Sequence, residues 1–549
     1  MQREVALVVL VITGFVASAA QAGNTSRHPS VHPGSALQRE FALSALAHLK
    51  GAAQLPFESL LRSLPPAKQV GVTISAKATK NMSCSGGVCT PIAAVAVLNV
   101  SQLTGMLASQ NVTVGTSGQA PDIFVNAAFS WVSGNGLTLQ AIGNIVVNKA
   151  VSDSGPAPLT VAYNANGSGG ALSFGDKGHI SFLSTGNVLT INGQGYILAN
   201  NIQSLAQLIA RNPSGHFAFA ASYNAKPDGK YTHSPIPTTF QGSFEGLGNK
   251  IAGLRMRSQN GDQPNGFFAQ TSSTAFIGNF NLVGKLEFAP GPYIGGLIGL
   301  NKGSLFQANF DGSIDVKRAN CSQVIRVGGV AGESDGTISF SRATGSISTA
   351  DGMSCSSVFA GGLVGFSTAA IDHSWAGVSL SVHTLAYQAV GGLIGWTQGD
   401  VDQVFAVGPI DIFYQNANSD VGGLVAALAA PLSHASASGT VTAPDSLFAY
   451  VGGLVGDMYG GSVEDGVATG AVSGNNCACG GAIGYGFNVN DSTSYGPVSG
   501  DFFGGFIGKD DTAGDLSNDG WCTTSSGITD PSQGAGNIPN DPGITPFTC

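Results

Sequence analysis

Hydrophobic and polar residues alternate in short runs along most of this chain, and few runs exceed the length of a strand. "DIFVNAAFSW" places Ile123, Val125, Ala127 and Phe129 on one side of an extended segment. "LTLQAIGNIVVN" gives two more strands joined at Gly143 and Asn144, and "NVLTINGQGYIL" continues the pattern. A period of two marks half-buried strands, and the Gly, Asn, Asp and Ser clusters between them read as turns. Helical spacing appears in two places. Leu37, Phe41, Leu43, Leu46 and Leu49, then Phe57, Leu60, Leu61 and Leu64, predict a helical N-terminal segment. "SLAQLIARNPSG" (204–215) predicts a short helix interrupting the strands.

From residue 291 the alternation becomes a repeat. A double glycine followed by apolar residues starts at Gly295, Gly328, Gly361, Gly391, Gly422, Gly452, Gly480 and Gly504, in steps of 33, 33, 30, 31, 30, 28 and 24 residues. A second glycine follows at Gly312, Gly345, Gly377, Gly408, Gly439, Gly470 and Gly496. A period in this range belongs to stacked arrays, whose units cannot bury their apolar side alone. Each unit holds three strand-length pieces, which predicts one coil of a parallel β-helix per repeat. Equivalent positions then form ladders about 4.8 Å apart, and eight coils make a rod section on the order of 40 Å long. Two ladders should point inward. One is Ile294, Val327, Ala360, Val390, Val421, Val451, Cys479 and Phe503; the other is Leu297, Val330, Leu363, Leu393, Leu424, Leu454, Ala482 and Phe506. The glycines should turn the corners, through positive φ or close backbone approach.

Composition supports this picture. Seventy-nine glycines with only 10% charged residues fit this architecture better than disorder, because 43% of the chain is hydrophobic. The net charge of −9, with no basic stripe, argues against nucleic acid or acidic membrane as partner. The chain opens with a short polar start, an apolar run over 5–19, and Ala20, Gln21 and Ala22. That predicts a Sec-type signal peptide over 1–22, cut between Ala22 and Gly23, and hence export. No later segment has the ~18 uninterrupted apolar residues of a membrane span. The remainder divides into a linker or cap with a helical segment (23–68), an irregular β-helix portion (69–290), eight regular repeats (291–517) and a loosely ordered Gly/Pro-rich tail (518–549). The fold class is therefore all-β, a right-handed parallel β-helix.

Eight cysteines are too few for a disulfide scaffold, but export permits bridges. Cys84 and Cys89 bracket "SGGV" and can close a small loop. Cys321 and Cys355 precede their double glycines by seven and six residues, so they share a place in adjacent coils. Cys522 and Cys549, 27 residues or about one coil apart, can pin the tail. Cys477 and Cys479 form a lone C-x-C, read as buried or reactive thiols rather than a metal site.

"GGLIGLNKGSLFQANFDGSIDV" and "GGLVGDMYGGSVEDGVATGAVSG" resemble the GLUG repeat. "FQGSFEGLGNKIAGLRM" and "DIFVNAAFSWVSGNGLTLQAIGNIVVN" are similar to segments of filamentous-haemagglutinin-like bacterial adhesins. The resemblance covers residues 84–540. It implies a β-helix exported by a Gram-negative bacterium and used in attachment to glycans or proteins of host cells, neighbouring cells or matrix, with an outer-membrane secretion partner. The Asn-Pro-Asn-Gly signature of the two-partner-secretion module does not occur in the chain.

The alternative is a secreted polysaccharide-active β-helix enzyme, a lyase or glycosidase. It would need paired carboxylates on one face. Candidates are Asp400 with Asp402, Asp372 with His373, and Glu464 with Asp465, with His434 in register with His373. Asp400 and Asp402 are co-facial on a strand but have no basic partner in sequence. The simpler reading makes all of them polar residues on an exposed strand face. No P-loop, dinucleotide fingerprint, HExxH or nucleophile elbow occurs, and no cofactor or metal is expected. Repeat length varies only after the third strand, in loops that should line one edge of the rod. Tyr387, Tyr414, Phe448 and Tyr450 lie there and form the expected binding edge.

Overall fold

The computed structural model describes residues 35–63 and 70–549, apart from 168, 260, 262, 318–320, 322, 414–417, 445–447 and 513–514. The signal-peptide site at Ala22 and Gly23, and Tyr414, lie outside the described residues. Strands dominate, and they stack as a parallel β-solenoid of about 12 turns. The double glycines align coil upon coil, from Gly295 opposite Gly328 through Gly480 opposite Gly504.

Each regular coil contributes three faces. The first is an eight-stranded parallel sheet whose strands end in the double glycine, as in Tyr387–Gly391. The second is a nine-stranded sheet of short strands that follow it, as in Ile394–Thr397. The third is longer and bent, as in Ser304–Val316. Both predicted ladders point inward. All their members are fully buried except Phe503, which is partly exposed. Burying one such Leu or Val stabilises the stack by about 1.5–3 kcal/mol.

The bend in the third face is made by residues other than glycine. Asn279, Gln307, Phe340, His373, Gln403, His434, Asp465 and Asp491 form a column with φ between 45° and 54°. Of the two routes expected for the glycines, positive φ or close approach, the double glycines use close approach. The second-glycine ladder is also one residue off at one coil. Gly345 pairs with Val378, so Val378 rather than Gly377 holds that rung.

The stack is not parallel throughout. Leu189–Ile191 and Gln194–Ala199 pair antiparallel around Asn192 (φ 46°) and Gly193 (φ 81°). "NVLTINGQGYIL" is thus a hairpin built on an Asn-Gly turn, whose two positive φ values suit a tight antiparallel connection. This hairpin joins the N-terminal coils to the regular ones. Two hydrophobic cores result, one spanning Val72 to Leu247 and one spanning Ala199 to Ile544.

Four helices are relevant here: α1 (Ser35–His48), α2 (Leu55–Ser63), α3 (Val100–Leu107) and α4 (Ile202–Arg211). The first, second and fourth follow the predicted spacing. α3 was not anticipated; Asn99 caps it by accepting from the amides of Ser101 and Gln102. α1 and α2 dock on the flank of the third face, through Phe41 and Phe57 against Trp375 and Phe405.

The C-terminal segment departs from expectation. Asp519–Cys522 adds a strand beside Thr493–Ser494, and Ile544–Phe547 adds another beside it. Trp521 is fully buried in the last turn. This tail is ordered. Cys84–Cys89, Cys321–Cys355 and Cys522–Cys549 are disulfides, with Cα separations of 4.1, 4.5 and 5.7 Å. Cys477 and Cys479 are also bonded to each other, which corrects the thiol reading. Alternate residues of one strand point the same way, so the pair is co-facial.

Candidate functional site

The double glycine shapes the outer surface as well as the core. A Cβ on Gly391 would lie 1.9 Å from Ile394 O, and one on Gly392 would lie 2.0 Å from Gly423 O. Without side chains the backbone folds tightly enough to close a concave corner between the first and second faces. Outward side chains of the two faces then meet across the corner. On the first face the column runs Tyr293, Arg326, Phe359, Ala389, Asp420, Tyr450. On the second it runs Glu333, Phe366, Trp396, Ala427, Asp457, Tyr485, Lys509.

The groove between these columns changes character along the rod. At one end Arg326 Nε sits 2.6 Å from Glu333 Oε2, and its guanidinium lies 5.3 Å from the ring centres of both Tyr293 and Phe366. Phe359, Phe366 and Trp396 follow as an aromatic cluster, with Phe359 and Trp396 5.2 Å apart. Ala389 and Ala427 leave room beside it, and Tyr459 stacks on Trp396 at 5.1 Å. Next comes a polar centre. The Tyr387 hydroxyl donates to Asp420 Oδ2, and the Tyr459 hydroxyl donates to the same oxygen at 3.1 Å. Asp457 faces them, 5% exposed, and its Oδ1 has no hydrogen-bond partner. Tyr450 and Tyr485 stack at 5.0 Å on the far side, and Lys509 lies over Tyr485.

Burial sets the electrostatics. It pushes the Asp420 carboxyl well up from the ordinary carboxylate range, against the hydrogen bonds from Tyr387 and Tyr459 that favour the charged form. Burial also raises Asp457, and the neighbouring Asp420 charge raises it further. Tyr387 and Tyr459 are raised by burial and by the same carboxyls.

The predicted edge meets this groove only in part. Tyr387, Phe448 and Tyr450, expected in loops, all lie in strands, Tyr387–Gly391 and Phe448–Gly452. Tyr450 and the buried hydroxyl of Tyr387 belong to the groove, and Phe448 packs edge-on against Tyr450 at 5.2 Å. Trp396, Asp420, Asp457, Tyr459 and Tyr485 were missed. The signal for four of them was available: they occupy the alternate positions flanking each double glycine. Tyr459 had none. A register shift between Leu428 and Ala429 makes it an extra residue in its strand and turns it into the groove, as bulges beside sites commonly do.

The carboxylate candidates lie elsewhere, on the third face. Asp402 does have a basic partner, His434 of the next coil, whose Nδ1 lies 2.8 Å from Asp402 Oδ1. Asp400 and Glu464 are exposed. His373 is buried, not on a solvated face. It stacks on Phe340 at 4.4 Å beneath Phe41 of α1, with Nδ1 2.8 Å from Asp372. A cavity of about 750 Å³ lies between α1 and the rod, bordered by Glu40, Asp176, His179, Lys250 and Arg342. Burial and the nearby Asp176 raise Glu40 there. Among the described residues no cluster of three or more His, Cys, Asp or Glu could hold a metal ion, and no helix is long and apolar enough to cross a membrane. Comparison with known protein families, with curated proteins and with solved structures finds no match to this chain.

Proposed function

We propose that this chain is an exported, non-enzymatic adhesin that attaches to glycan on cells or matrix through the concave groove of its solenoid. The observation that carries this reading is the pairing of two outward columns into one groove lined by rings and hydroxyls. Aromatic faces offer apolar area to sugar rings, and neighbouring carboxyl and phenol groups satisfy sugar hydroxyls. A groove that follows the rod axis also suits an extended polymer. Four disulfides fit an oxidising compartment, consistent with the signal peptide expected over 1–22 and a place outside the cell or on its surface. The likeness to GLUG-repeat adhesins points the same way and brings with it an outer-membrane secretion partner. The test is binding of the purified chain to a glycan array and to whole cells. Replacing Trp396, Tyr459 and Tyr485 by Ser should cut binding at least about tenfold with little change in melting temperature. Full binding by that triple variant would move the site off the groove.

A second reading rests on Asp420 and Asp457. Two carboxyls whose proton affinity is raised by burial could supply a general acid for glycosidic cleavage. Release of reducing ends or unsaturated uronides from a polysaccharide panel, lost in Asp457→Asn, would favour it over adhesion.

A further inference from the structure

We propose that the polar centre of the groove is a cation site, and that its glycan ligand carries primary ammonium groups, as a 2-amino-2-deoxyhexose polymer does. The inference rests on the glycan-binding reading above and narrows it to a ligand class.

The groove already holds one cation in this way. Arg326 is clasped between the Glu333 carboxylate and the rings of Tyr293, Phe359 and Phe366. Ring faces attract cations, and a carboxylate behind them adds charge. The centre has the same parts without a cation from the chain. Asp420 and Asp457 lie between Tyr387, Tyr459, Tyr450 and Tyr485. Among the described residues no Lys, Arg or His is within ion-pair distance of either carboxyl. Lys509 is the cation whose field reaches Asp457, and its Nζ sits 5.0 Å from the centre of the Tyr485 ring, on the far side of the pair. Asp457 Oδ1 is buried and unpartnered. A buried polar atom left this way is destabilising, and a hydrogen-bonding ligand would relieve that cost. Tyr459 covers the pair and is 46% exposed, so it is the side chain a ligand would displace to reach the carboxyls.

The protonation of the pair supports the geometry. Burial pushes both carboxyls up, so each holds its proton to higher pH than an ordinary carboxylate does. A bound ammonium favours the charged form, and the displaced protons leave to buffer. The titratable and charged groups facing the pair are Tyr387, Tyr450, Tyr459, Tyr485 and Lys509.

The experiment is calorimetry of the full chain with glucosamine, N-acetylglucosamine and galacturonate oligomers of equal length. It is run at about pH 6, where the amine is charged, in two buffers of different ionisation enthalpy. The glucosamine oligomer should bind at least about tenfold more tightly than the acetylated one, with proton release, and Asp420→Asn and Asp457→Asn should each abolish that preference. Should either variant fail to fold, Tyr459→Ala and the buffer dependence of the wild type test the same point. Equal binding of amino and acetylated oligomers, or a preference retained in both Asn variants, overturns the cation site and leaves the glycan reading standing. No binding of any oligomer, together with no binding on the wider array, removes both.

Discussion

His434 Nδ1 lies 2.8 Å from Asp402 Oδ1, across the step between two successive coils of the third face. The hydrogen bond that His434 donates to Asp402 raises the His434 pKa, partly offset by burial and helped by the fields of Asp465 and Glu464. Burial pushes Asp402 up, but hydrogen bonds from His434 and Ser433 outweigh it and hold the carboxyl low. His434 therefore contributes stability that is full below the ordinary histidine range and lost as pH rises through its raised value. Asp402 contributes stability present above its ordinary range and lost as pH falls through its lowered value. A titration followed by NMR should place His434 above the ordinary histidine value, and Asp402→Asn should bring it down. An unchanged His434 value in that variant would break the pairing.

Glycines that look alike in sequence should differ sharply in tolerance. A Cβ on Gly408 would sit 1.9 Å from Val378 O, whereas the nearest atom to one on Gly377 is 3.3 Å away, on the Trp375 ring. Gly408→Ala should cost about 1–3 kcal/mol or more, because backbone must move. Gly377→Ala should remain within about 1 kcal/mol of wild type. Urea denaturation of the two variants measures this. Equal losses would mean that Gly377, not Val378, occupies the ladder.

The Cys321–Cys355 bridge ties two coils together across 34 residues of sequence. Replacing both cysteines by Ser should cost about 2–4 kcal/mol, since the open chain regains loop entropy. Peptide mapping of the unreduced protein should recover the two cysteines in one linked fragment. Free thiols at both positions contradict the bridge.

Much of this architecture could be read from residue order, and the failures have physical causes. The inward ladders were legible because stacking repeats one environment at every coil, so Leu363, Leu393, Leu424 and Leu454 announce themselves together. The Asn192–Gly193 hairpin was hidden because an antiparallel reversal and a parallel corner use the same turn residues. The groove was hidden for another reason. Alternation shows that Asp420 and Asp457 point outward, but only the angle at the double glycine brings the two outward columns together. The burial of His373 was illegible because its cover, Phe41, lies more than three hundred residues earlier in the chain.

That cover yields the last prediction. Phe41 packs on Phe57 at 5.6 Å, on Phe405 at 5.8 Å and on His373 at 5.4 Å, joining α1 and α2 to the rod. Trp375 stacks on Phe405 at 5.2 Å and meets His48 of α1 at a tilt, 4.6 Å between ring centres. Phe41 is 6% exposed, so Phe41→Ala removes a buried ring at a cost of about 3–5 kcal/mol. The rod strands do not depend on that ring, because their hydrogen bonds and inward ladders close without it. The loss should therefore fall on docking of the helices rather than on the stack. Hydrogen exchange should speed up over 35–63 while the strands over 293–512 keep their protection, and acrylamide should quench Trp375 more strongly. If exchange rises equally in the rod, the helices belong to its folding core and the docking picture is wrong.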